Sequence, residues 1–161
     1  MCGFLALASK NYKFLKRRGF SRWLKKRGPD KSGSIRKGGY VFVHHLLHLC
    51  GERLLQPLVN EDVVCLFNGE IYNYRTFNKD FKSDGECLIY LYRLYGDDFP
   101  TKLDGEFAIA LFDFRKQIVL LASDAFATKP LFYYFDNAHG FVVSSIRRTI
   151  TENLYINESE I

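Results

Sequence analysis

The chain contains no apolar run near the roughly 20 residues that a helix needs to cross a bilayer. It also lacks the pattern of a secretory signal, because its first apolar run is short and ends at Ala8, before the basic residues begin. No internal repeat and no low-complexity tract is present. These absences argue against a membrane-spanning helix and predict a cytoplasmic protein with no membrane partner.

Cysteine is scarce as well. The four cysteines are widely spaced and form no CxxC pair: Cys2, Cys50, Cys65 and Cys87. This spacing argues against a zinc cluster and against a disulfide framework. Cys50, Cys65 and Cys87 lie in apolar runs, so we predict that they are small core residues.

Another kind of metal site is suggested by three neighbouring histidines, His44, His45 and His48. On a helix this spacing could bring two of them together, but their segment predicts a strand and no acidic residue accompanies them. We therefore predict packed or surface histidines and no metal site.

What the chain does contain is enough apolar sequence for one folded domain. Of its 161 residues, 47% are hydrophobic and 16% are aromatic, which argues against disorder. A chain of this length is typical of a single domain with a true core.

The net charge of +5 is concentrated near the N-terminus. Residues 10–37 contain twelve Lys and Arg residues and one acid, Asp30, whereas the rest of the chain contains eleven basic and seventeen acidic residues. Apolar residues fall between these charges at helical spacing: Phe14, Leu15, Phe20, Trp23 and Leu24. We favour the solvated face of an amphipathic helix, and keep a nucleic acid or another acidic partner as the less favoured alternative.

Apolar runs and turn residues predict an α+β domain. The predicted strands span residues 2–8, 40–49, 63–67, 107–112, 118–122, 131–135 and 141–143. The predicted helices span residues 11–26 and 84–95, and residues 28–39 and 51–60 are predicted to be loops.

The second predicted helix has signals at both ends. Ser83 and Glu86 form a capping box, and Gly96 supplies the C-terminal stop. Its apolar face is predicted to comprise Cys87, Leu88, Leu91, Leu94 and Tyr95.

The position of Cys2 directly after Met1 suggests a catalytic role for this residue. If Met1 is removed, one residue carries a thiol nucleophile and a free α-amine that can act as its base. The amine titrates near pH ~7.7–8 and the thiol near ~8.5, so both are usable close to neutrality. Many chains begin with Met-Cys by chance, so the argument depends on motifs further along.

Those motifs occur in one order over nearly the whole chain. They are Cys2-Gly3, Arg27-Gly28-Pro29-Asp30, Gln56-Pro57, the segment 67–74 (FNGEIYNY), Ser83-Asp84 with Glu86, the segment 104–108 (DGEFA), and Asp124 with the segment 129–134 (KPLFYY). With these motifs the chain resembles the class II (N-terminal nucleophile) glutamine amidotransferases. It looks most like the glutaminase domain of asparagine synthetases.

The resemblance implies a fold and an activity. The fold would be the Ntn-hydrolase four-layer α/β/β/α sandwich of antiparallel sheets, with residues 1–161 forming one type-2 amidotransferase domain that is truncated at its C-terminus relative to the family. Cys2 would attack the side-chain amide of glutamine and release ammonia for the ATP-dependent amidation of aspartate. No SGGxDS-type phosphate loop occurs in the chain. We therefore expect no cofactor here, with ATP and Mg²⁺ on a missing synthetase domain or a separate subunit.

The resemblance also implies residue roles. Asn68 and Gly69 would stabilise the oxyanion, although an isolated Asn-Gly pair predicts only a hairpin turn after strand 63–67. Asp84 and Glu70 would bind the substrate, Asp84 holding the α-ammonium of glutamine, although an acid at a helix start also complements the helix dipole. Arg27 and Asp30 would belong to a supporting loop, in which Asp30 could equally be a turn residue.

The chain departs from the family pattern at several positions. Leu46 stands where relatives carry an Arg that grips the α-carboxylate of glutamine, and leucine cannot form that charge-assisted bond. Arg53, in the following loop, is our candidate replacement, ahead of His45 or His48. Ser123, Ala127 and Ser145 stand where relatives usually have Arg, Gly and Glu, and the Ser145 difference suggests a divergent partner surface.

Three other interpretations stay open at this point. One is a non-catalytic module of the same fold that binds or regulates a partner, which Leu46 and the absent synthetase half favour. Another is a class II amidotransferase with a different acceptor. The third is a nucleic-acid-binding protein that uses residues 10–37. The oligomeric state is a separate question, and a homodimer also stays open.

Overall fold

The computed structural model describes residues 1–8, 20–49, 52–136 and 140–154. Nine strands and five helices follow one another in the described part of the chain. Their order is β1 (Gly3–Ala8), α1 (Phe20–Arg27), β2 (Lys31–Lys37), β3 (Tyr40–Leu46), β4 (Leu58–Asn60), β5 (Val63–Ile71), α2 (Tyr74–Phe77), α3 (Glu86–Tyr95), a 3₁₀ helix (Gly96–Lys102), β6 (Gly105–Asp113), β7 (Ile118–Ser123), β8 (Phe132–Asp136), β9 (Gly140–Ser144) and α4 (Arg147–Leu154).

The strands form two antiparallel sheets. Sheet A has the order β2-β3-β1-β9-β8, and sheet B has the order β4-β5-β6-β7. Helices α1 and α4 cover the outer face of sheet A, and α3 covers the outer face of sheet B. This arrangement confirms the predicted α+β class and the four-layer α/β/β/α sandwich.

Alternation along the strands explains why the sheets stack. In β1, Phe4 and Ala6 pack between the sheets, whereas Leu5 and Leu7 pack under the helices of sheet A. In β5, Val64 and Leu66 pack between the sheets, whereas Cys65 and its odd-numbered neighbours pack against α3. Because successive side chains point to opposite faces and both faces are buried, these strands read as continuous apolar runs.

This alternation also positions polar residues. By this alternation Cys2, which directly precedes β1, falls on the same face as Phe4 and Ala6. Asn68 in the same way falls on the face of Val64 and Leu66. His44 has the parity of Phe42, which packs between the sheets. One end of the space between the sheets therefore receives Cys2, His44 and Asn68.

The loops predicted over residues 28–39 and 51–60 are wrong in part. Lys31–Lys37 pairs with β3 as an edge strand, and Leu58–Asn60 pairs with β5. Edge strands keep one side in solvent and often carry Lys, so β2 lacks the apolar alternation that would have identified it. The predicted turn at Asn68-Gly69 is also wrong, because β5 continues through both residues to Ile71 in register with β6.

Helix α3 is confirmed, but its predicted capping box is wrong. Its N-cap residue is Gly85 and makes no side-chain cap bond. Ser83 Oγ lies 3.3 Å from Asp84 Oδ1, and Glu86 Oε2 accepts from Lys82 N at 3.1 Å. The C-terminal stop is confirmed, since Gly96 adopts φ 60° and its N–H donates to Tyr92 O.

The predicted burial is confirmed for some apolar residues and wrong for others. Cys65, Cys87, Leu88 and Leu91 are buried. Leu94 and Tyr95, assigned to the apolar face of α3, are 57% and 45% exposed because they lie at the last turn of the helix. Cys50 lies outside the described residues.

The predicted helix over residues 11–26 is described only from Phe20 onward, as α1, and Phe14 and Leu15 lie outside the described residues. Leu24 is buried against sheet A, and the Trp23 indole N–H donates to Glu152 Oε2 of α4 at 2.9 Å. Within the described part of the chain, no helix is long and apolar enough to span a membrane.

Candidate active site

A small cleft of about 60 Å³ opens where β1 begins and β5 nears its end. Its lining includes four residues from three sequence motifs, Cys2, Gly69, Glu70 and Asp84. The closed sandwich brings these residues together because β1 lies in one sheet, β5 in the other, and Asp84 in the loop before α3. Asn68, Arg27, Asp30 and Arg53 are not among the residues that line the cleft.

The Cys2 thiol is half-buried and donates to the carbonyl oxygen of Leu47, with an Sγ–O distance of 3.6 Å. Burial raises the pKa of this thiol, and the neighbouring α-ammonium only partly opposes the shift. Burial lowers the pKa of the α-amine, which belongs to Met1 because Met1 is present. Both shifts favour a neutral thiol beside a neutral amine.

The predicted supporting loop is wrong for Arg27, which is the last residue of α1, but the segment that follows α1 and carries Asp30 holds the segment facing Cys2. Asp30 N donates to Leu46 O at 3.0 Å, and Asp30 Oδ2 accepts from His48 N at 2.7 Å. These two bonds flank Leu47, whose carbonyl accepts from the thiol. Gly28 allows this segment to pass close to the backbone of β3, since a Cβ at this position would overlap the backbone of His45.

Arg27 lies against the N-terminus. Its Nη1 donates to Ser145 O at 3.1 Å, and its Nη2 lies 3.2 Å from the Met1 sulfur. Ser145 is buried and joins β1 to the end of β9, because its N–H donates to Phe4 O and its Oγ accepts from Phe4 N. Ser145 is therefore an internal link, which does not support its predicted place on a partner surface.

Gly69 is a position that only glycine fits. Its φ is 151°, and a Cβ there would overlap the carbonyl oxygen of Glu106 on β6. Asn68 is 1% exposed, and neither polar atom of its side chain has a hydrogen-bond partner among the described residues. Because buried polar groups are almost always satisfied, this unpartnered amide is a candidate for bonding to a bound group.

Asp84 is held firmly at the edge of the cleft. Its Oδ2 accepts from Ile71 N at 3.0 Å, and its Oδ1 accepts from Gly85 N at 2.9 Å. Burial raises the pKa of Asp84, although these hydrogen bonds partly oppose the shift. The carboxylate is thus half-buried, fixed in orientation, and in reach of a cation that enters the cleft.

Leu46 is 8% exposed and lines the cleft, so an apolar side chain stands at the position where the resemblance implies an Arg. Arg53 is exposed, while its neighbours Glu52 and Leu54 both line the cleft. The placement of Arg53 gives no support to its predicted role as the replacement for that Arg, and the role stays a prediction.

Two of the three neighbouring histidines are packed in the interior of the protein. His44 and His45 are buried, and no group of three metal-ligating side chains occurs within the described ranges. Burial lowers the pKa of His44 to about 4, although a hydrogen bond to the backbone of Phe67 partly opposes the shift. His48 is half-buried and lines the cleft.

Two further features of the site were not assigned a role from the sequence. The carbonyl of Leu47 has no sequence signal, because every residue has one. Gln56 is buried and its Oε1 accepts from Phe67 N at 2.7 Å, which anchors the segment after the cleft to β5. The Gln56-Pro57 motif marked the position without indicating this contact.

The motifs at 104–108 and 124–134 contact each other next to the strand that carries Gly69 and Glu70. Lys129 Nζ lies 2.6 Å from Glu106 Oε2, and Glu106 on β6 pairs with Glu70 on β5. Asp124 accepts from Phe107 N at 3.0 Å and from Thr128 Oγ1 at 2.6 Å. Burial would raise the pKa of Asp124, but its hydrogen bonds outweigh burial and hold the pKa at about 2.

A comparison with protein families decides what this arrangement belongs to. A family model described as a glutamine amidotransferase domain matches residues 1–160. The chain belongs to this family. The two antiparallel sheets with flanking helices are those expected of the family's Ntn-hydrolase fold.

The curated relatives of this amidotransferase domain are longer proteins. A probable glutamine-hydrolysing asparagine synthetase of Dictyostelium discoideum is 31% identical over 172 aligned positions, which cover 96% of this chain and 31% of that protein. Glutamine-hydrolysing asparagine synthetases of Asparagus officinalis and Arabidopsis thaliana are 37% and 36% identical, each over 82% of this chain and 25% of the relative. The domain is therefore related to the N-terminal domain of asparagine synthetases, and spans a quarter to a third of these relatives.

Proposed function

We propose that this amidotransferase domain, once Met1 is removed, hydrolyses the side-chain amide of glutamine with Cys2 as the nucleophile. The observation that carries the proposal is the convergence of Cys2, Gly69 and Asp84 on one cleft. A thiol, a close backbone approach and a fixed carboxylate are the parts that amide attack and substrate anchoring require.

The first step moves a proton within one residue. The α-amine of Cys2 takes the thiol proton, and the thiolate attacks the carbonyl carbon of the side-chain amide. The C–N bond then breaks, and the amino group leaves as ammonia with a proton returned by the α-ammonium. Water next attacks the thioester, releases glutamate and regenerates the thiol.

The charge that develops during attack is assigned to Asn68 and Gly69. The Gly69 backbone lines the cleft, and the Asn68 side-chain amide is buried without another partner. Donors of this kind, fixed before the reaction, each lower the barrier by roughly 2.7–4 kcal/mol. The fixed carboxylate of Asp84, with Glu70 beside it on the cleft wall, is assigned to the α-ammonium of the substrate.

The ammonia would serve the ATP-dependent amidation of aspartate. Relatives named as asparagine synthetases extend well beyond the part this chain matches. ATP and Mg²⁺ would therefore act on a synthetase domain or a separate subunit, and the need for ATP favours a cytoplasmic location. An assay with such a subunit and either aspartate or another acceptor tests this assignment. Amidation of aspartate would support it, and amidation of the other acceptor would indicate an amidotransferase with a different acceptor.

The test is ammonia release from L-glutamine and from L-glutamine α-amide by a chain whose intact mass shows that it begins at Cys2. Cys2→Ser and retention of Met1 should each abolish release. Cys65→Ala, which alters a buried cysteine outside the lining of the cleft, should retain it. Undiminished release by the Cys2→Ser chain or by the chain that keeps Met1 would refute the proposal.

A catalytically impaired module that binds or regulates a partner is the second candidate, and one observation favours it. Leu46, rather than a cation, lines the cleft, so free glutamine lacks an evident partner for its carboxylate. This candidate predicts that neither amide is hydrolysed by the chain that begins at Cys2. The same assay therefore separates the two candidates.

A further inference from the structure

We propose that the cleft selects glutamine side-chain amides whose α-carboxyl group carries no charge, as in an α-amide or the N-terminal glutamine of a peptide. This inference rests on the proposed hydrolysis and names its substrate class. Three carboxylates line the cleft, those of Glu52, Glu70 and Asp84, and no Lys or Arg does so among the described residues. A site of this charge favours a ligand with a net positive charge.

The rest of the cleft wall is largely apolar. Leu46, Leu47, Leu49, Leu54 and Phe67 contribute to the lining. A carboxylate placed against such side chains loses water without gaining a charged partner, which is unfavourable. An amide carbonyl in the same place has less hydration to lose and can accept from a backbone N–H.

Three cations that are near the cleft in the sequence or the structure do not line it. Lys129 pairs with Glu106 at 2.6 Å, and Arg53 is exposed outside the lining. Arg27 donates to Ser145 O and lies against the Met1 sulfur. Removal of Met1 takes away only the sulfur contact of Arg27, so this residue needs a separate test.

The experiment compares kcat/KM for L-glutamine, L-glutamine α-amide and a dipeptide with N-terminal glutamine, using the chain that begins at Cys2. Both blocked substrates should exceed glutamine by about tenfold or more, the factor that corresponds to about 1.4 kcal/mol. If only the dipeptide does so, the substrate is a peptide N-terminus. Equal or greater kcat/KM for glutamine would overturn the inference, and loss of that activity in Arg27→Gln would identify the cation responsible.

Variants of the cleft wall test the cause. Leu46→Arg should raise kcat/KM for glutamine relative to the α-amide about tenfold or more, whereas the apolar control Leu46→Met should keep the original preference. The Glu52→Gln variant should fold normally, because this side chain is exposed. It should reduce the ratio of kcat/KM for the α-amide to kcat/KM for glutamine. An unchanged preference in both Leu46→Arg and Glu52→Gln would also overturn the inference.

Failure of the proposed hydrolysis is recognised separately. If no substrate is hydrolysed, calorimetric binding to the Cys2→Ala chain decides the inference. Tighter binding of the α-amide than of glutamine would retain the selectivity without the reaction. Equal binding, or binding of neither, would overturn the selectivity as well.

Discussion

The thiol of Cys2 and the carbonyl of Leu47 are joined by a hydrogen bond with an Sγ–O distance of 3.6 Å. The carbonyl is not free to move, because Asp30 bonds to the backbone on both sides of it, at Leu46 O and at His48 N. Asp30 therefore fixes the carbonyl that accepts from the Cys2 thiol, without itself contacting the proposed nucleophile.

Asp30→Ala should reduce kcat for hydrolysis by about fivefold, because the lost hydrogen bond to His48 N contributes roughly 0.5–1.5 kcal/mol to the placement of Leu47. Asp30→Asn, which keeps an acceptor oxygen, should retain most of the activity. KM should change little in either variant. Measurement of kcat and KM separately checks this, and an unchanged kcat in Asp30→Ala would show that the loop does not position the thiol.

Asp84→Asn should raise KM for the substrate by about tenfold to a hundredfold. A hydrogen bond to a charged group is worth roughly 1.5–3 kcal/mol, and the variant removes the charge that would face the α-ammonium. Asp80→Asn is the matched control, since it neutralises an exposed acid in the same loop. The assignment of Asp84 fails if the two variants have the same KM.

The free energy of unfolding should fall as the pH is lowered from about 6.5 towards 4. His44 is 1% exposed with a pKa of about 4, below its unfolded value, so the folded state resists the proton that the unfolded state accepts. A shift of this size amounts to about 3 kcal/mol at the acidic end of the window.

His44→Gln should remove most of that dependence. His45, whose pKa burial also lowers, should leave a smaller residual slope in the same direction. Urea unfolding of both chains at pH 7 and pH 4.5 measures the difference. Parallel losses in the two chains would assign the acid sensitivity to other groups.

Ala127→Gly should stabilise the protein by about 0.5–1 kcal/mol. Ala127 adopts φ 50°, a left-handed conformation that costs a residue with a Cβ roughly 1–2 kcal/mol and glycine almost nothing. Part of this gain is offset because glycine has more freedom in the unfolded chain. Ala125→Gly, two residues away without a positive φ, should instead destabilise slightly, and thermal or urea unfolding distinguishes the signs.

The strands of the core were predictable because the sandwich buries both faces of them. β1, β5 and β6 are therefore continuous apolar runs in the sequence, and these runs alone predict the three strands. The edge strands β2 and β4 were not predictable in this way. Lys31–Lys37 is held by backbone pairing to β3, and its largely polar sequence is that of a loop.

The site was predictable where a side chain carries the chemistry. Cys2, Gly69 and Asp84 were selected by their motifs, and all three line one cleft. Contacts made by the backbone, such as that of Leu47 O, leave no trace in the sequence. Ser83 was misread as a cap because the neighbouring carboxylate of Asp84, rather than the helix N-terminus, is its partner.

The most direct test of the central claim is ammonia release as a function of the fraction of chains that begin at Cys2, with that fraction measured by intact mass. Preparations processed to different extents should release ammonia from the glutamine side-chain amide in proportion to this fraction. The line should pass through zero when every chain keeps Met1, because the proton acceptor and the nucleophile belong to one residue. Release that is independent of the fraction would contradict the account.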